Sequence, residues 1–434
     1  MRSIADVVER QLCTGCGMCA VVQPDDLRMV DDYHLGRRPV PRAGREGADT
    51  TSALAVCPGV SLEWPVPDPE ASTALWNDWG PVLEVWEGHA VDPTIRRRGS
   101  SGGVGTALAS FAVAGGGQEA VVHIRARDDI PYLNEATVSE DPEAVAAAAG
   151  SRYSPASACE GLSAARGRRV AFVGKPCEVA AVARARTAAP PTVEGVEVTI
   201  AIFCAGTPSV RGTVEMMNRL GFADPAGVDL VRYRGEGWPG RAVVEGRGAD
   251  GERRQASLSY QESWGEVLQA HRQWRCHLCV DHTGEFADLA VGDPWYREVR
   301  DGEPGRSLVV VRTPRGREFV RRAREAGVVE LVRVDDSVFP RSQPNLLDTR
   351  GSVWGRMATL RALGLPAPRY RGPDLFSTWR RLGTRSKISS VLGTVRRIGR
   401  RRLLRRARVV PFEPRPPVRY PPGRRERVAE VGSS

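Results

Sequence analysis

Nine cysteines stand in a chain of 434 residues, and eight of them are placed for iron and sulfur. The first set is Cys13-Thr14-Gly15-Cys16-Gly17-Met18-Cys19. Cys-x2-Cys-x2-Cys is the spacing that wraps three thiolates around one cubane cluster. The pattern ordinarily continues with x3-Cys-Pro; here that slot holds Gln23-Pro24, and Cys57-Pro58 is left to supply the fourth thiol. A zinc knuckle pairs Cys-x2-Cys with a second such pair, which three thiols in register followed by Cys-Pro fit poorly. The second set is scattered: Cys177, Cys204 and Cys276-His277-Leu278-Cys279. Non-local cysteines carry no fixed spacing, so three readings stay open on the residues alone. They are a second cluster, a zinc pair at Cys276 and Cys279, or core thiols at Cys177 and Cys204. Cys159 has no partner at metal spacing and reads as a free buried thiol.

Two further stretches carry chemistry. Arg96-Arg97-Arg98-Gly99-Ser100-Ser101-Gly102-Gly103 precedes an apolar helical run from Val104 to Ala114. Small residues before a helix N-terminus let a phosphate approach free N–H groups. The alternative is a glycine-rich turn beside a solvated charge run. Lys175 stands out because only one other lysine, Lys387, occurs in the chain. The dominance of arginine itself is taken as compositional bias.

The elements that must position these residues are legible in part. Val170–Val173, the turn Gly174–Cys177 and a helix over 178–186 form a strand–loop–helix unit. Val196–Phe203, the turn 204–209 and a helix over 210–220 repeat it. Such alternation implies a parallel sheet, with ligands at the carboxyl ends of the strands, where Cys177 and Cys204 fall. Further strands are expected at 82–89, 121–126, 287–293 and 308–312, and a hairpin at 242–246 with 255–258. A helix over 260–275 is expected to deliver Cys276 and Cys279. The fold class is therefore α/β (mixed α+β), with parallel strand–loop–helix units. A small ferredoxin-like iron–sulfur module precedes it and a basic tail follows.

Charge is uneven. From Arg369 onward there are nineteen Arg or Lys and four Asp or Glu; the whole chain is +10, so the first 368 residues are about −5. In the tail, Phe376, Trp379, Ile388, Val391, Leu392, Val395 and Ile398 recur at helical spacing. Arg396, Arg397, Arg400, Arg401 and Arg402 are expected on the opposite face. That suits an anionic membrane surface or an acidic partner; a disordered tail with a Pro-rich end at 411–422 is the alternative, and nucleic acid fits less well. Residues 1–12 show no apolar core of a signal peptide, and no apolar run approaches a membrane span. The chain is expected in the cytoplasm, peripheral to a membrane if the tail binds one. There nine cysteines argue for metal or redox use over disulfides.

Five motifs stand in one order: Gly99–Gly103, Gly174-Lys175-Pro176-Cys177-Glu178, Phe203–Ser209, Tyr233–Gly240, and Cys276–Cys279 with Ala287–Asp293. Over roughly residues 80–345 the chain resembles the coenzyme F420 hydrogenase/dehydrogenase beta-subunit family. The resemblance implies an FAD-containing oxidoreductase with two 4Fe-4S clusters, the second held by Cys177, Cys204, Cys276 and Cys279. It implies that Ser100, Ser101, Gly102 and Gly103 contact FAD and that Lys175 neighbours the flavin ring. Electrons would enter at the first cluster from a ferredoxin-like donor or a redox partner and reach FAD through the second. FAD would exchange a hydride with a small molecule such as a deazaflavin, in either direction. The corresponding divisions are an iron–sulfur module at 1–66, beta-subunit-type domains at 80–167 and 168–345, and the tail at 346–434. An electron-transfer subunit without its own substrate, and a zinc-binding structural or regulatory protein, are the competing readings.

Overall fold

The computed structural model describes residues 1–248, 250–299 and 302–412. Its centre is an eight-stranded mixed sheet. In spatial order the strands are Val329–Arg333, Glu84–Ala90, Ser307–Val311, Leu289–Gly292, Val196–Ile202, Val170–Gly174, Ala120–Ala126 and Asn134–Ser139. Leu289–Gly292, Val196–Ile202, Val170–Gly174 and Ala120–Ala126 are mutually parallel, and the flanking pairs are antiparallel. These strands are short apolar runs because both faces are covered. Val170 and Phe172 pack with Val179 and Val182 of the helix Pro176–Ala188. Ala171, Val198 and Ile200 face the other way, onto Leu108 of the helix Val104–Ala114 and Phe319 of the helix Pro314–Glu325. Segments 84–139 and 170–333 both contribute strands, and Glu84–Ala90 lies between the last two strands of the later segment. Sequence periodicity carries no signal for such an insertion.

A three-stranded antiparallel sheet sits beside this core, formed by Val228–Arg232, Ala242–Arg247 and Arg253–Leu258. It contains the expected hairpin, with Val244 opposite Ala256. The expected continuous helix over 260–275 is not formed. The chain makes a π-helical stretch at Gln261–Val267, a 3-10 turn at Leu268–His271, extends through Arg272 and Gln273, and turns again at Trp274–Leu278. The break has a cause: Arg272 bridges to Pro208, and the Gln273 N–H donates to the Thr207 carbonyl at 3.1 Å. Those bonds pull the cysteine turn against the Cys204 loop.

The first 66 residues form three short helices and the hairpin Leu27–Asp32 with Gly36–Pro41. Their interior is shared. Val7, Leu12, Cys13 and Cys19 pack with Trp274, Leu278, Leu360 and Ile398. Ser61–Glu63 pairs in parallel with Arg369–Arg371, so the C-terminal region is stitched to this module.

The tail helix forms at Thr384–Arg400, and it docks through a face that the apolar spacing marks only at Ile398. Ser390, Thr394 and Ile398 are buried against the helix Pro344–Ala362, while Ile388, Leu392 and Val395 are exposed. The inward hydroxyls are satisfied locally: Thr394 Oγ1 donates to the Ser390 carbonyl at 2.7 Å, and Ser390 Oγ accepts from Trp379 Nε1 at 3.0 Å. The approach is close enough that a Cβ at Gly355 would lie 2.2 Å from Ser390 Oγ. Arg396, Arg400 and Arg402 point outward, whereas Arg397 and Arg401 are half-buried. Most of the Pro-rich end at 411–422 lies outside the described residues. Among those described, no helix is long and apolar enough to cross a membrane.

One buried ionic hub joins Trp64 at the end of the first 66 residues, the segment after Cys279 and the C-terminal region. Glu285 is paired with Arg350, their side chains 1% and 3% exposed, and its other oxygen accepts from Trp64 Nε1 at 2.6 Å. Arg350 also donates to the Val280 carbonyl at 2.8 Å. Removing one partner of such a pair strands the other charge. Arg350→Met is expected to lower unfolding free energy by about 3–5 kcal/mol, read as a lowered denaturant midpoint at unchanged slope. A loss below about 1 kcal/mol, the scale of exposed pairs, would show that Glu285 is not held as a buried charge.

Candidate cofactor-binding site

Cys13, Cys16, Cys19 and Cys57 line one small cavity, closed by Ile4, Val7, Val8, Met18, Met29 and Pro39. Gly15 and Gly17 both have positive φ, which turns the loop so that successive thiols point to one centre. The Gly15 N–H donates to Cys13 Sγ at 3.3 Å. Burial pushes the Cys13 and Cys19 thiols up and the Cys57 thiol to about 12. Cys16 moves the other way, to about 7, because the Cys159 thiol donates to it, aided by the Met18 N–H. Cys159 is thus no bystander; its packing beside Cys16 had no signal in spacing. Buried thiols that resist ionisation alone fit a site in which bound metal supplies the positive charge. Arg38 and Arg275 also face Cys13.

The second set converges from three elements. Cys177 lies in the first turn of the helix Pro176–Ala188, Cys204 follows the strand Val196–Ile202, and Cys276 lies within the turn at Trp274–Leu278 with Cys279 just after it. Cys204 interacts with Cys276 and Cys177, and Cys279 with Cys276 and Cys204. The Gly206 N–H donates to Cys204 Sγ at 3.4 Å and the Thr207 N–H to Cys276 Sγ at 3.3 Å. Burial raises Cys177 well above the usual thiol range and Cys204 to about 11. Among the described residues, no three Cys, His, Asp or Glu side chains stand grouped as a single-ion site. The two sets approach each other: Cys16 and Cys177 interact electrostatically. Arg275 faces Cys279, Cys177 and Cys276 while donating to the Pro58 carbonyl, beside Cys57, at 3.0 Å.

A cleft of about 300 Å³ opens at the carboxyl ends of the parallel strands. Its walls include Ser100, Ser101, Gly103, Lys175, Cys204, Arg234, Tyr260, Asp293 and Trp295. Ser100 Oγ accepts from the Ser151 N–H at 2.7 Å, and Ser101 Oγ shares a hydrogen bond with Ser307 Oγ at 2.8 Å. Gly102 lies behind the wall, where a Cβ would come within 2.8 Å of Gly88 O and Arg306 Cα. Gly103, at φ 74°, would place a Cβ 2.6 Å from Ile95 O. Both glycines are required by chain packing, whatever the cleft binds. Lys175 is largely buried, its Nζ paired with Glu178 and donating to the Ala156 carbonyl at 3.3 Å. Burial alone would lower its pKa; the charges of Glu178 and Cys177 outweigh that and raise it.

The motifs Tyr233–Gly240 and Ala287–Asp293 suggest no roles for their residues in sequence; the fold does. Arg234, 2% exposed, donates to Asp293 through both terminal nitrogens, at 3.0 and 2.7 Å, and through Nε to Pro239 O at 2.7 Å. Trp238 Nε1 donates to the same carboxylate at 2.8 Å. Arg234 also lies over Tyr260, 4.7 Å from its centroid, and Tyr260 stacks on Trp295 at 5.4 Å. This makes a rigid aromatic and cationic wall, suited to a planar anionic ligand.

An open α/β sheet with a cleft at its carboxyl edge and thiol sets beside it puts the candidate site where open parallel sheets carry their ligands. Two family models match this chain, described as the N-terminal and C-terminal parts of coenzyme F420 hydrogenase/dehydrogenase, beta subunit. The N-terminal part matches residues 85–163 and the C-terminal part residues 167–337. The chain belongs to this family. It is 31% identical over 106 residues to the coenzyme F420 hydrogenase subunit beta of Methanococcus voltae, a match covering 23% of this chain and 34% of that protein. The match thus spans about a third of that relative's length. The fold is shared with a chain of a xenon-derivatised F420-reducing [NiFe] hydrogenase complex from Methanosarcina barkeri. The TM-score is 0.51 at 18% identity, covering 72% of this chain and all of that one.

His123 lines the cleft with Nε2 hydrogen-bonded to Ser139 Oγ at 2.8 Å, and burial lowers its pKa from 6.5 to about 4. The unfolded chain therefore binds a proton between those values that the folded chain refuses. Its contribution to stability is full above pH 6.5 and is lost as pH falls toward 4. The fall amounts to at most about 3 kcal/mol. In His123→Gln the stability difference between pH 7 and pH 4 is expected to shrink by that order, measured by urea unfolding. An unchanged difference would place the acid sensitivity elsewhere.

Proposed function

We propose that the chain is an iron–sulfur flavoprotein oxidoreductase. Cys13, Cys16, Cys19 and Cys57 hold one 4Fe-4S cluster, Cys177, Cys204, Cys276 and Cys279 a second, and the cleft takes FAD. Continuity carries this reading. Cys16 of the first set lies within electrostatic reach of Cys177 of the second, and Cys204 of the second set is also part of the cleft wall. A flavin held there supplies interchange between one-electron and two-electron transfer.

The chain's own residues then have defined tasks. Arg234, fixed by Asp293, presents positive charge to the cleft without side-chain freedom. Lys175 stays protonated through Glu178 and carries a second positive charge between the cleft and Cys177. Ser100, Ser101 and Gly103 form the adjoining wall, where Arg234 donates to the Ser100 carbonyl, and Gly102 supports them from behind. Residues 1–66 serve as a ferredoxin-like module. Coenzyme F420, present in the names of both relatives, or another small unsaturated molecule is the two-electron partner. The one-electron partner is a ferredoxin-like donor or a companion subunit, which accords with relatives that are a hydrogenase subunit and a chain of a complex. The exposed stripe Ile388, Leu392 and Val395, beside Arg396 and Arg400, suits an anionic surface.

Two measurements test this. Anaerobically purified protein is expected to carry about eight irons per chain, falling to about four in Cys204→Ala. Iron unchanged by that substitution, or a colourless zinc protein, would remove the second cluster. Asp293→Asn takes a full charge from the Arg234 pair and is expected to weaken flavin retention about 10- to 100-fold. Flavin bound as tightly as before would move the flavin out of this cleft.

A further inference from the structure

The half-buried arginines of the C-terminal region have an arrangement that the enzyme reading does not require. Arg401, just after the helix Thr384–Arg400, donates to the Arg272 carbonyl at 2.8 Å. Arg272 donates to the Ala205 carbonyl, beside Cys204, at 3.1 Å. Arg356, on the helix Pro344–Ala362, donates to the His277 carbonyl, beside Cys276, at 2.7 Å. Arg397, one helical turn before Arg401, interacts with Arg272. Four guanidiniums thus gather around the Cys204 and Cys276 loops.

Among the described residues none of the four pairs with a carboxylate. Their hydrogen bonds go to neutral carbonyls, and Arg272 Nε, Arg356 Nε and Arg397 Nη1 are buried without a partner. Like charges held this close in a partly buried site repel strongly unless an anion lies among them. The acidic groups that Arg272 faces are Cys276 and Cys204, and the leading attractive neighbour of Arg401 is Cys276. Arg356 and Arg397 lie outside the matched stretches 85–163 and 167–337, as does Arg401.

We propose that Arg272, Arg356, Arg397 and Arg401 form a cationic cage around the second thiolate set, and that the C-terminal helix thereby raises the reduction potential of the cluster held there. The inference rests on the two-cluster reading above. Four thiolates and an iron–sulfur core carry net negative charge, which grows by one on reduction. Fixed cations beside the sulfurs stabilise the reduced form more than the oxidised form, and net charge is one of the levers that set such potentials. Arg397 and Arg401 are positioning residues: they touch neither flavin nor substrate and act on the cluster through its field.

The test is a redox titration of the full-length protein followed by electron paramagnetic resonance. Cys204→Ala identifies the second cluster's signal by its loss. In Arg397→Gln with Arg401→Gln that signal is expected to titrate at a more negative potential, while the Cys13/Cys16/Cys19/Cys57 signal stays in place. Arg397→Lys with Arg401→Lys keeps the charges and is expected to keep the potential near that of the unaltered protein. Each single Gln variant is expected to shift less than the pair, which keeps the measurement available if the double variant does not fold. An unmoved second signal in the Gln variants, with iron content intact, overturns the cage. A shift of both signals together also overturns it, since it denotes a general effect of lost charge. Absence of any second signal in the unaltered protein overturns the cluster assignment and the cage with it.

Discussion

Parallel pairing sends the chain back to the same edge of a sheet after every strand, and this constraint places most of what the protein can do. Hydrogen bonds join Leu289–Gly292, Val196–Ile202, Val170–Gly174 and Ala120–Ala126 in parallel. Each must be left through a loop at its carboxyl end. Three of those loops carry Asp293, Cys204 and Lys175, so a carboxylate, a thiol and an ammonium meet there without being near in sequence. Glu84–Ala90 runs in the same direction, two strands further on, and brings the Ser100–Gly103 loop to that edge. The cleft is therefore a property of strand direction first and of side chains second.

Legibility in the sequence follows burial on two faces. Val170–Val173 and Val196–Phe203 read as strands because both sides are apolar, and the thiols that follow them lie at the sheet edge as that reading implies. The region from Tyr260 to Arg275 reads in sequence as one helix and is not one. Its composition suits a helix, but the bonds from Arg272 and Gln273 to the Cys204 loop are long-range and pull the chain out of helical geometry. The tail departs from its periodicity for a related reason. Hydrophobic spacing puts Ile388, Leu392, Val395 and Ile398 on one apolar stripe, yet of these four only Ile398 is buried, and the helix docks through Ser390 and Thr394 beside it. Their hydroxyls are satisfied locally, and Gly355 admits close contact. Arg234 with Asp293, and Cys159 with Cys16, have no sequence signal at all, because each joins segments that only the folded chain brings together.

Arginine, whose abundance composition alone attributes to bias, has a structural use here. Arg312 is fully buried and donates to the carbonyls of Trp79, Pro81 and Thr283 at 2.9, 2.7 and 2.9 Å. Arg275 and Arg38 likewise end on carbonyls or an amide oxygen. A planar guanidinium has five donors in a fixed fork and can bind several irregular loops together, which an ammonium on a flexible stem does poorly. A protein whose candidate site is built from loops gains most from that geometry.

The pairing of Ser61–Glu63 with Arg369–Arg371 has a consequence for how the protein is made. The segment 407–412 crosses the same module, with Ala407 N–H on Glu9 O at 2.8 Å and Phe412 N–H on Asp31 O at 2.7 Å. A ribosome releases the first thiol loop long before the residues that cover it. For most of synthesis Cys13, Cys16, Cys19 and Cys57 lack the strand and the apolar contacts from Leu360 and Ile398 that enclose them in the finished fold. The nascent chain thus presents its first four thiols openly and seals them last, so solvent and oxidants reach them until the two ends meet.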